Sequence, residues 1–468
     1  INALNVVLFN ISFIYRKRFM LFILSEILKW LPSKERLRTT LNKSLTSEEH
    51  NWNEKTVLNI VDIALCPLIL SQQILANMWT RNGSSKMYRQ VSLYYSHFWT
   101  HTGLDMDIFG LQLGIEYLGA NRVLSQMLER FDVVNYFVSS SSSSSSYVVV
   151  FERGVLERTQ KKNILHYSTH RYTSTEHEEK MAESFLSLVA TLVTDRRHVG
   201  HTRERTIRQE IIQRLALRKM TYSEFEKYIA IDLVEDPCFK DTLFRVANYH
   251  RPLGFENGFF TLKDECWCEI DPFYSHFLKM SRNELEMRYA DRQSRSTTKN
   301  IPPLDVEDSS PMFRSISNSI LQSRILHSII FLVIRMTLRR DRSCAGSLTN
   351  IALYLLVQAV VNVNKNEAIR EEDPFSDDDV VGDEAMTRYF VEYEENDIVK
   401  NLWYSVEKEE EEITIMKLLQ EMLNRTDMKE NWEYAKLVIE NLDEDSKTRM
   451  NSNEEEKEEE EEENEEKE

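Results

Sequence analysis

Cysteine is scarce in this chain. There are five in 468 residues, Cys66, Cys238, Cys266, Cys268 and Cys344. An odd and widely spaced set excludes a disulfide framework and suits a reducing compartment, so the expected location is cytoplasmic, with the nucleus as the other such compartment. Glycine (11) and proline (9) are also sparse, which argues against a sandwich or barrel with its many turns. Long apolar runs are missing too. The opening INALNVVLFNISFIY is apolar for 15 residues, short of the ~20 that a membrane span requires. Its charges, Arg16, Lys17 and Arg18, follow the run, whereas those of a signal peptide precede it. Ile1 stands where an initiating Met would be, so the chain is expected to begin inside a longer protein. Two further uncharged runs, 63 to 80 and 347 to 364, contain Ser, Gln and Asn and read as buried helices, and no membrane partner is expected. The glycines form no nucleophile elbow, phosphate-binding loop or dinucleotide fingerprint.

Charge, by contrast, is abundant and uneven. The chain carries a net charge of -18, but residues 366 to 468 alone hold 38 acidic and 12 basic residues, leaving 38 acidic and 46 basic before them. A mildly basic body therefore precedes an acidic tail. That body is not basic enough to imply nucleic acid by itself.

The abundance of Leu, Glu, Lys and Met favours helix, and the periodicity agrees. FMLFILSEILKWL (19 to 31) stops at Pro32, and CPLILSQQILANMW (66 to 79) places Pro67 at a first-turn position. That run is expected to end near Asn82, with Gly83 in the left-handed conformation behind it. Ser84 or Ser85 would then cap a helix whose Met87, Val91, Tyr94 and Phe98 share a buried face. DMDIFGLQLGIEYL sets Ile108, Leu111, Ile115 and Leu118 on one face, and Asn121 is the predicted cap of ANRVLSQMLERF. Residues 139 to 146 are eight consecutive serines, which bury nothing and are expected to be disordered.

From about 203 the texture changes. IRQEIIQRLALRK turns Ile207, Ile211, Ile212 and Leu215 inward, Thr221 with Glu224 makes a capping box before YSEFEKYI, and DPCFKDTLFRVANYH is a third predicted helix. GFENGFFTLKDECW then supplies a turn and the β-rich FFTL. Three short helices followed by a two-stranded wing is the order of a winged helix. Beyond it come an exposed charged helix (MSRNELEMRYADRQSR), a linker (IPPLDVEDSSP), core helices in ISNSILQSRILHSIIFLVI and SLTNIALYLLVQAVV, and two last helices, ITIMKLLQEML and WEYAKLVIENL.

Two stretches, MWTRNGSSKMYRQVSLYY and DMDIFGLQLGIEYLGANRVLSQMLERFDVVNYF, closely resemble the central helical region of the N-recognin, or UBR-box, ubiquitin ligases. The positions that carry the resemblance are Trp79, Arg81, Asn82, Gly83, Tyr94, Tyr95, Gln112, Asn121, Arg130 and Phe131. It continues through MAESFLSLVATLVTDRR and through IRQEIIQRLALRKMTYSEFEKYI and VANYHRPLGFENGFFTLKDE, which resemble the family's winged helix. Two departures stand out. Arg196-Arg197-His198-Val199-Gly200 replaces a Pro-Gly turn, and the serine tract has no counterpart, being either a lineage insertion or retained intron. The resemblance implies a RING-type ubiquitin-protein ligase of the N-degron pathway. In that family a zinc-binding UBR box captures destabilising N-terminal residues, a RING docks the ubiquitin-conjugating enzyme, and the helical centre holds both. Zinc belongs to those two domains, and scattered cysteines cannot build either one here. No catalytic, cofactor-binding or metal residue is therefore assigned within the chain.

Other readings of single features are weaker. Cys266-Trp-Cys268 with His276, Cys238 and His250 lacks the usual Cys-x₂-Cys knuckle and reads as a strand end with both cysteines on one face. The pairs His97/His101 and His166/His170 lack the glutamate of a zinc-protease motif. The third helix of the winged helix offers Lys240 and Arg245 but also Asp236 and Asp241, so nucleic acid is not the expected partner. The fold expected is mostly α: a helical scaffold over 1–138, a disordered insertion over 139–177, a helical connector over 178–202 and a winged-helix (α+β) domain over 203–275. A charged helix and linker over 276–311, a C-terminal helical segment over 312–450 with an acidic loop at 371–397, and an acidic disordered tail over 451–468 complete it. The alternative is a non-enzymatic helical-repeat and winged-helix scaffold of the cullin or proteasome-lid type.

Overall fold

The computed structural model describes residues 54–79, 84–96, 100, 103–138, 174–252, 257–292, 301–304, 316–339, 346–372, 414–425, 428 and 432–441. The serine tract, the helix predicted at 19–31, Arg81 to Gly83, both histidine pairs, Cys344, nearly all of the acidic loop and the tail lie outside those residues. The chain divides into two compact units, one closing at Leu326 and the other opening at His327.

The first unit begins with α1 (Glu54–Leu75), α2 (Ser84–Tyr94), α3 (Leu104–Leu118), α4 (Ala120–Phe131) and α5 (Val134–Val138). Two expectations fail in α1. Pro67 sits in the helix interior, where it withholds one backbone donor, and not in a first turn. The helix also ends at Leu75, seven residues before the predicted stop. There Asn77 takes the left-handed conformation (φ 64°), its N–H donating to Ile74 O (3.0 Å) and that of Met78 to Gln73 O (3.0 Å). This is the double bond of a Schellman end, with asparagine in the role expected of Gly83. Ser84 is the first residue of α2.

Helix α3 is buried on nearly every side from Leu104 to Ile115, including Asp105, Asp107 and Gln112, where one apolar face was predicted. It packs on α1 at Gly114, where any Cβ would run into the Val61 side chain. Gly119, at φ 83°, separates α3 from α4. Helix α6 (Thr175–Thr194) opens on Ser174, whose hydroxyl accepts from His177 N, and packs Phe185 against Phe131 (ring centroids 5.8 Å).

The winged helix follows as α7 (Arg203–Leu217), α8 (Tyr222–Tyr228), α9 (Ile231–Val234), α10 (Phe239–Val246), β1 (Ala247–His250) and β2 (Phe259–Leu262). The Thr221–Glu224 capping box is present. The predicted third helix is cut short, because Ala247 to His250 pair antiparallel with Leu262 to Phe259 as β1. Pairing with FFTL supplies a ladder that overrides the local helical tendency of VANYH. Met220 bridges to Phe260 and adds a third line to the sheet. Residues Asp264–Glu269 form a 3-10 turn where a strand end was expected; Cys266 is buried and Cys268 exposed, so they do not share a face.

The winged-helix core joins Ile207, Ile211, Phe225, Phe239, Leu243 and Phe260 to Leu285, Tyr289 and Ile301. Helix α11 (Lys279–Arg292), predicted as an exposed charged helix, thus buries one face, and the first residue of the supposed linker is core. The unit closes with α12 (Ile316–Leu321), packed on α3, α4 and α6. The second unit contains most of α13 (Arg324–Arg339), then α14 (Gly346–Glu372), α15 (Ile415–Asn424) and α16 (Trp432–Glu440). Its core mixes aliphatic and aromatic side chains, with Leu353, Leu356, Val360, Leu419, Met422, Val438, Phe331 and Tyr354 buried, and α16 lies against both α14 and α15.

Candidate functional site

The positions that carried the resemblance tie helices together. The Tyr94 hydroxyl donates to Asp107 Oδ2 (2.6 Å), and Tyr95 OH accepts from Gln72 Nε2 (3.0 Å). Arg130 grips Asp62 of α1 with two nitrogens, Nε and Nη2, each at 2.8 Å. Gln112 Nε2 donates to the Asp195 (2.6 Å) and Leu192 (3.3 Å) carbonyls at the end of α6. Trp79 is partly exposed and donates to Gln73 Oε1 (3.3 Å). Asn121 does not cap its own helix, whose N-cap position belongs to Gly119. Its Oδ1 instead accepts from Ser323 Oγ (2.8 Å) and Ile325 N (3.4 Å), at the start of α13.

A second group was not foreseen. Asp105 from α3, Arg197 from the connector after α6, Glu210 from α7, and Tyr274 and His276 from the segment before α11 meet in the interior, each at most 6% exposed. Arg197 Nη1 lies 2.9 Å from Asp105 Oδ2, and Nη2 lies 2.7 Å from the Tyr274 hydroxyl and 3.3 Å from Glu210 Oε1. His276 is held from both sides: Nε2 is 2.7 Å from Asp105 Oδ1 and Nδ1 is 2.9 Å from Glu210 Oε1. Arg197 Nη1 also lies 2.6 Å from His276 Nε2, and a ring that donated to both carboxylates would be an imidazolium. Burial and the nearby Arg197 oppose that charge, but Asp105 and Glu210 outweigh them and raise the His276 pKa. Burial would likewise raise Glu210, yet His276, Arg197 and Arg214 hold its carboxyl well below the usual range.

Two carboxylates thus face a guanidinium and an imidazole whose charged form they favour, and burial makes each unpaired member costly. The chemistry this cluster performs is attachment: it fixes the scaffold helix α3 to the first helix of the winged helix. Beside it Asp271 is fully buried, accepts from Phe273 N (2.8 Å), and is pushed up to about 7 by burial with the nearby Asp195 adding to the effect.

The same geometry bears on the metal and nucleic-acid readings of single features. Among the described residues no cluster of three or more His, Cys, Asp or Glu is arranged to hold a metal ion. His276, the histidine nearest Cys266-Trp-Cys268 in sequence, is engaged by two carboxylates. Arg245 of α10 pairs with Glu204, and Asp236, just before α10, accepts from Cys238 N (3.0 Å) and pairs with Arg203 (3.3 Å). The helix keeps Lys240 and Asp241 outward with Phe244 between turns, which is not a phosphate-binding face.

Comparison with known proteins gives two domain matches in chain order. Residues 4–149 match the UBR1/2/3-like ARM repeat domain, and residues 206–304 match the winged-helix domain of the UBR1-like E3 ubiquitin-protein ligases. The second match runs through α11 to Ile301, as the shared core does. Among similar proteins, human E3 ubiquitin-protein ligase UBR2 is 26% identical over 309 residues, covering 64% of this chain and 16% of that protein. Fission-yeast E3 ubiquitin-protein ligase ubr1 is 26% identical over 336 residues, covering 68% and 15%. The Arabidopsis E3 ubiquitin-protein ligase PRT6 is 24% identical over 222 residues, covering 47% and 10%. The chain therefore spans a small part of the length of the relatives it matches.

Proposed function

We propose that this chain, which carries the ARM-repeat and winged-helix domains of the UBR-type ubiquitin ligases, is the scaffold segment of a RING-type ubiquitin-protein ligase of the N-degron pathway. The observation that carries this reading is the pair of UBR-type domain matches on one chain, together with its similarity to E3 ubiquitin-protein ligases from human, yeast and plant. The buried cluster supports it. A segment that separates a substrate-binding domain from a RING is useful only if it transmits a fixed geometry. Asp105, Arg197, Glu210 and His276 make the join between its two domains stiff.

In this reading the whole protein brings a substrate lysine near the thioester of a ubiquitin-conjugating enzyme, and transfer follows from proximity and orientation. The partners are that enzyme and proteins with destabilising N-terminal residues. Zinc is held in domains other than this one, and the protein works in the cytosol or nucleus.

The test uses the full-length coding sequence in cells lacking other N-recognins, with reporters differing only in an N-terminal Arg or Met. The Arg reporter is expected to be degraded and ubiquitinated selectively. Equal half-lives, or a full-length sequence without a UBR box and a RING, would overturn the reading in favour of a non-enzymatic scaffold.

A further inference from the structure

The winged helix exposes aromatic side chains where a nucleic-acid binder would expose cations. Phe244, on the outer side of α10, is 57% exposed, and Tyr249, in β1, is 47% exposed. Both lie against the buried Phe260 of β2, at ring-centroid distances of 5.8 and 5.0 Å. Phe260 in turn packs on Phe225 in the core (6.0 Å), so the surface rings stand on a rigid aromatic base. Gly258 contributes to that arrangement. A Cβ there would run into the Tyr249 hydroxyl and ring, so glycine lets the tyrosine lie across the start of β2. Rings held in place in the free protein lose little conformational freedom when a partner covers them.

The charges around the two rings have one prevailing sign. Lys240 lies one turn before Phe244 on the same side of α10. Lys263 donates to the Phe244 and Arg245 carbonyls, and Arg251 follows β1 directly. No ion pair joins any of the three to a carboxylate of the described residues, while Asp241, exposed beside Lys240, opposes them. Arg245, which would have made the helix more basic, is already paired with Glu204. Three cations without a carboxylate partner around two fixed rings, Lys263 anchored by its two carbonyl bonds, suit a ligand with carboxylates flanking an apolar anchor. A duplex would need a continuous basic face, which Glu204 and Asp241 interrupt.

We propose that the Phe244–Tyr249 face of the winged helix is a docking surface for a protein segment in which a bulky apolar residue is flanked by acidic residues. The anchor covers the two rings, and the flanking carboxylates meet Lys240, Arg251 and Lys263.

Selection of a random peptide display library on the full chain tests this directly. The peptides enriched are expected to combine Asp or Glu with one bulky apolar residue. A synthetic peptide from that pool should lose about tenfold or more in affinity on Phe244→Ala plus Tyr249→Ala, the loss typical of central aromatic anchors. Lys240→Glu plus Arg251→Glu should weaken it as well, and raised salt should weaken it further. Gly258→Ala gives a separate check, since it displaces Tyr249 and should reduce affinity while Phe244 is intact. Circular dichroism of each variant identifies any that fail to fold, and Phe244→Ala, a surface change, is expected to fold normally. The proposal is overturned if enriched peptides are basic or lack an apolar anchor, if nothing is enriched, or if binding survives the double aromatic variant. Preferential binding of a labelled oligonucleotide that depends on the same residues would overturn it too, in favour of a nucleic-acid surface.

Discussion

A single residue, His276, shows how much of this protein's chemistry is structural. Its ring bridges two carboxylates from different domains, and removing it leaves Asp105 and Glu210 with less compensating charge in a closed interior. Loss of one partner of a buried ion pair costs about 3–5 kcal/mol, so His276→Leu is expected to destabilise by that order in denaturant titration. A loss below about 1 kcal/mol, the level of an exposed pair, would show that the cluster does not hold the join. Asp271 makes the opposite kind of contribution. Its folded pKa is about 7 against roughly 4 for an unfolded aspartate, so between those values the folded chain keeps a proton that the unfolded chain has released. The stability this group supplies is full at and below about pH 4, falls as pH rises toward 7, and is flat above. Glu210 acts in a different window, because its depressed pKa costs stability only as pH falls below the ordinary carboxylate range. His276, with a raised pKa, loses its contribution only as pH rises beyond the ordinary imidazole value. Asp271→Asn keeps the oxygen that accepts from Phe273 and should remove the decline between pH 5 and 7. An unchanged slope in that variant would place the proton elsewhere.

At the scale of the element, helices were legible because their apolar periodicity is local, and what was missed depends on partners far along the chain. The capping box at Thr221 needs only Glu224 and was readable. Asn121 looked like a cap for the same kind of reason, but the residue it serves lies some two hundred positions away, so sequence spacing assigned it to the wrong helix. Likewise Ala247 to His250 are a strand only because Phe259 to Leu262 lie beside them. Leu285 and Tyr289 are core because the winged helix needs a further layer, and nothing in their charged neighbours signals that. Asn121→Ala should cost about 1 kcal/mol, the value of a lost cap. Its signature in hydrogen exchange should be faster exchange at Ile325 and Leu326, with Leu124 and Ser125 in α4 unaffected. Faster exchange confined to α4 would restore the original reading of Asn121 as the cap of its own helix.

For the molecule as a whole, the domain matches and the fold class were readable because the resemblance rests on two motif-rich stretches near one another in sequence. The cluster was not, since its members come from four segments and one hydrogen bond joins residues 171 positions apart. The connector Arg196 to Gly200 registered only as a departure from the family pattern, and its role appears once Arg197 is seen to reach Asp105, Glu210 and Tyr274. Buried charged groups join the two domains. Of the described cysteines, Cys66 and Cys268 are exposed, Cys238 is half-buried and Cys266 is buried. No cluster of ligating side chains links them among the described residues. A fold resting on structural zinc draws about 10–16 kcal/mol from the metal and collapses when it is removed. Thermal unfolding of this chain, purified with added zinc and then treated with excess EDTA or phenanthroline, is therefore expected to show the same midpoint before and after treatment. A midpoint that drops with the chelator and returns with zinc would mean that a metal contributes to the fold, and would shift the origin of its stability away from the Asp105–His276–Glu210 clamp.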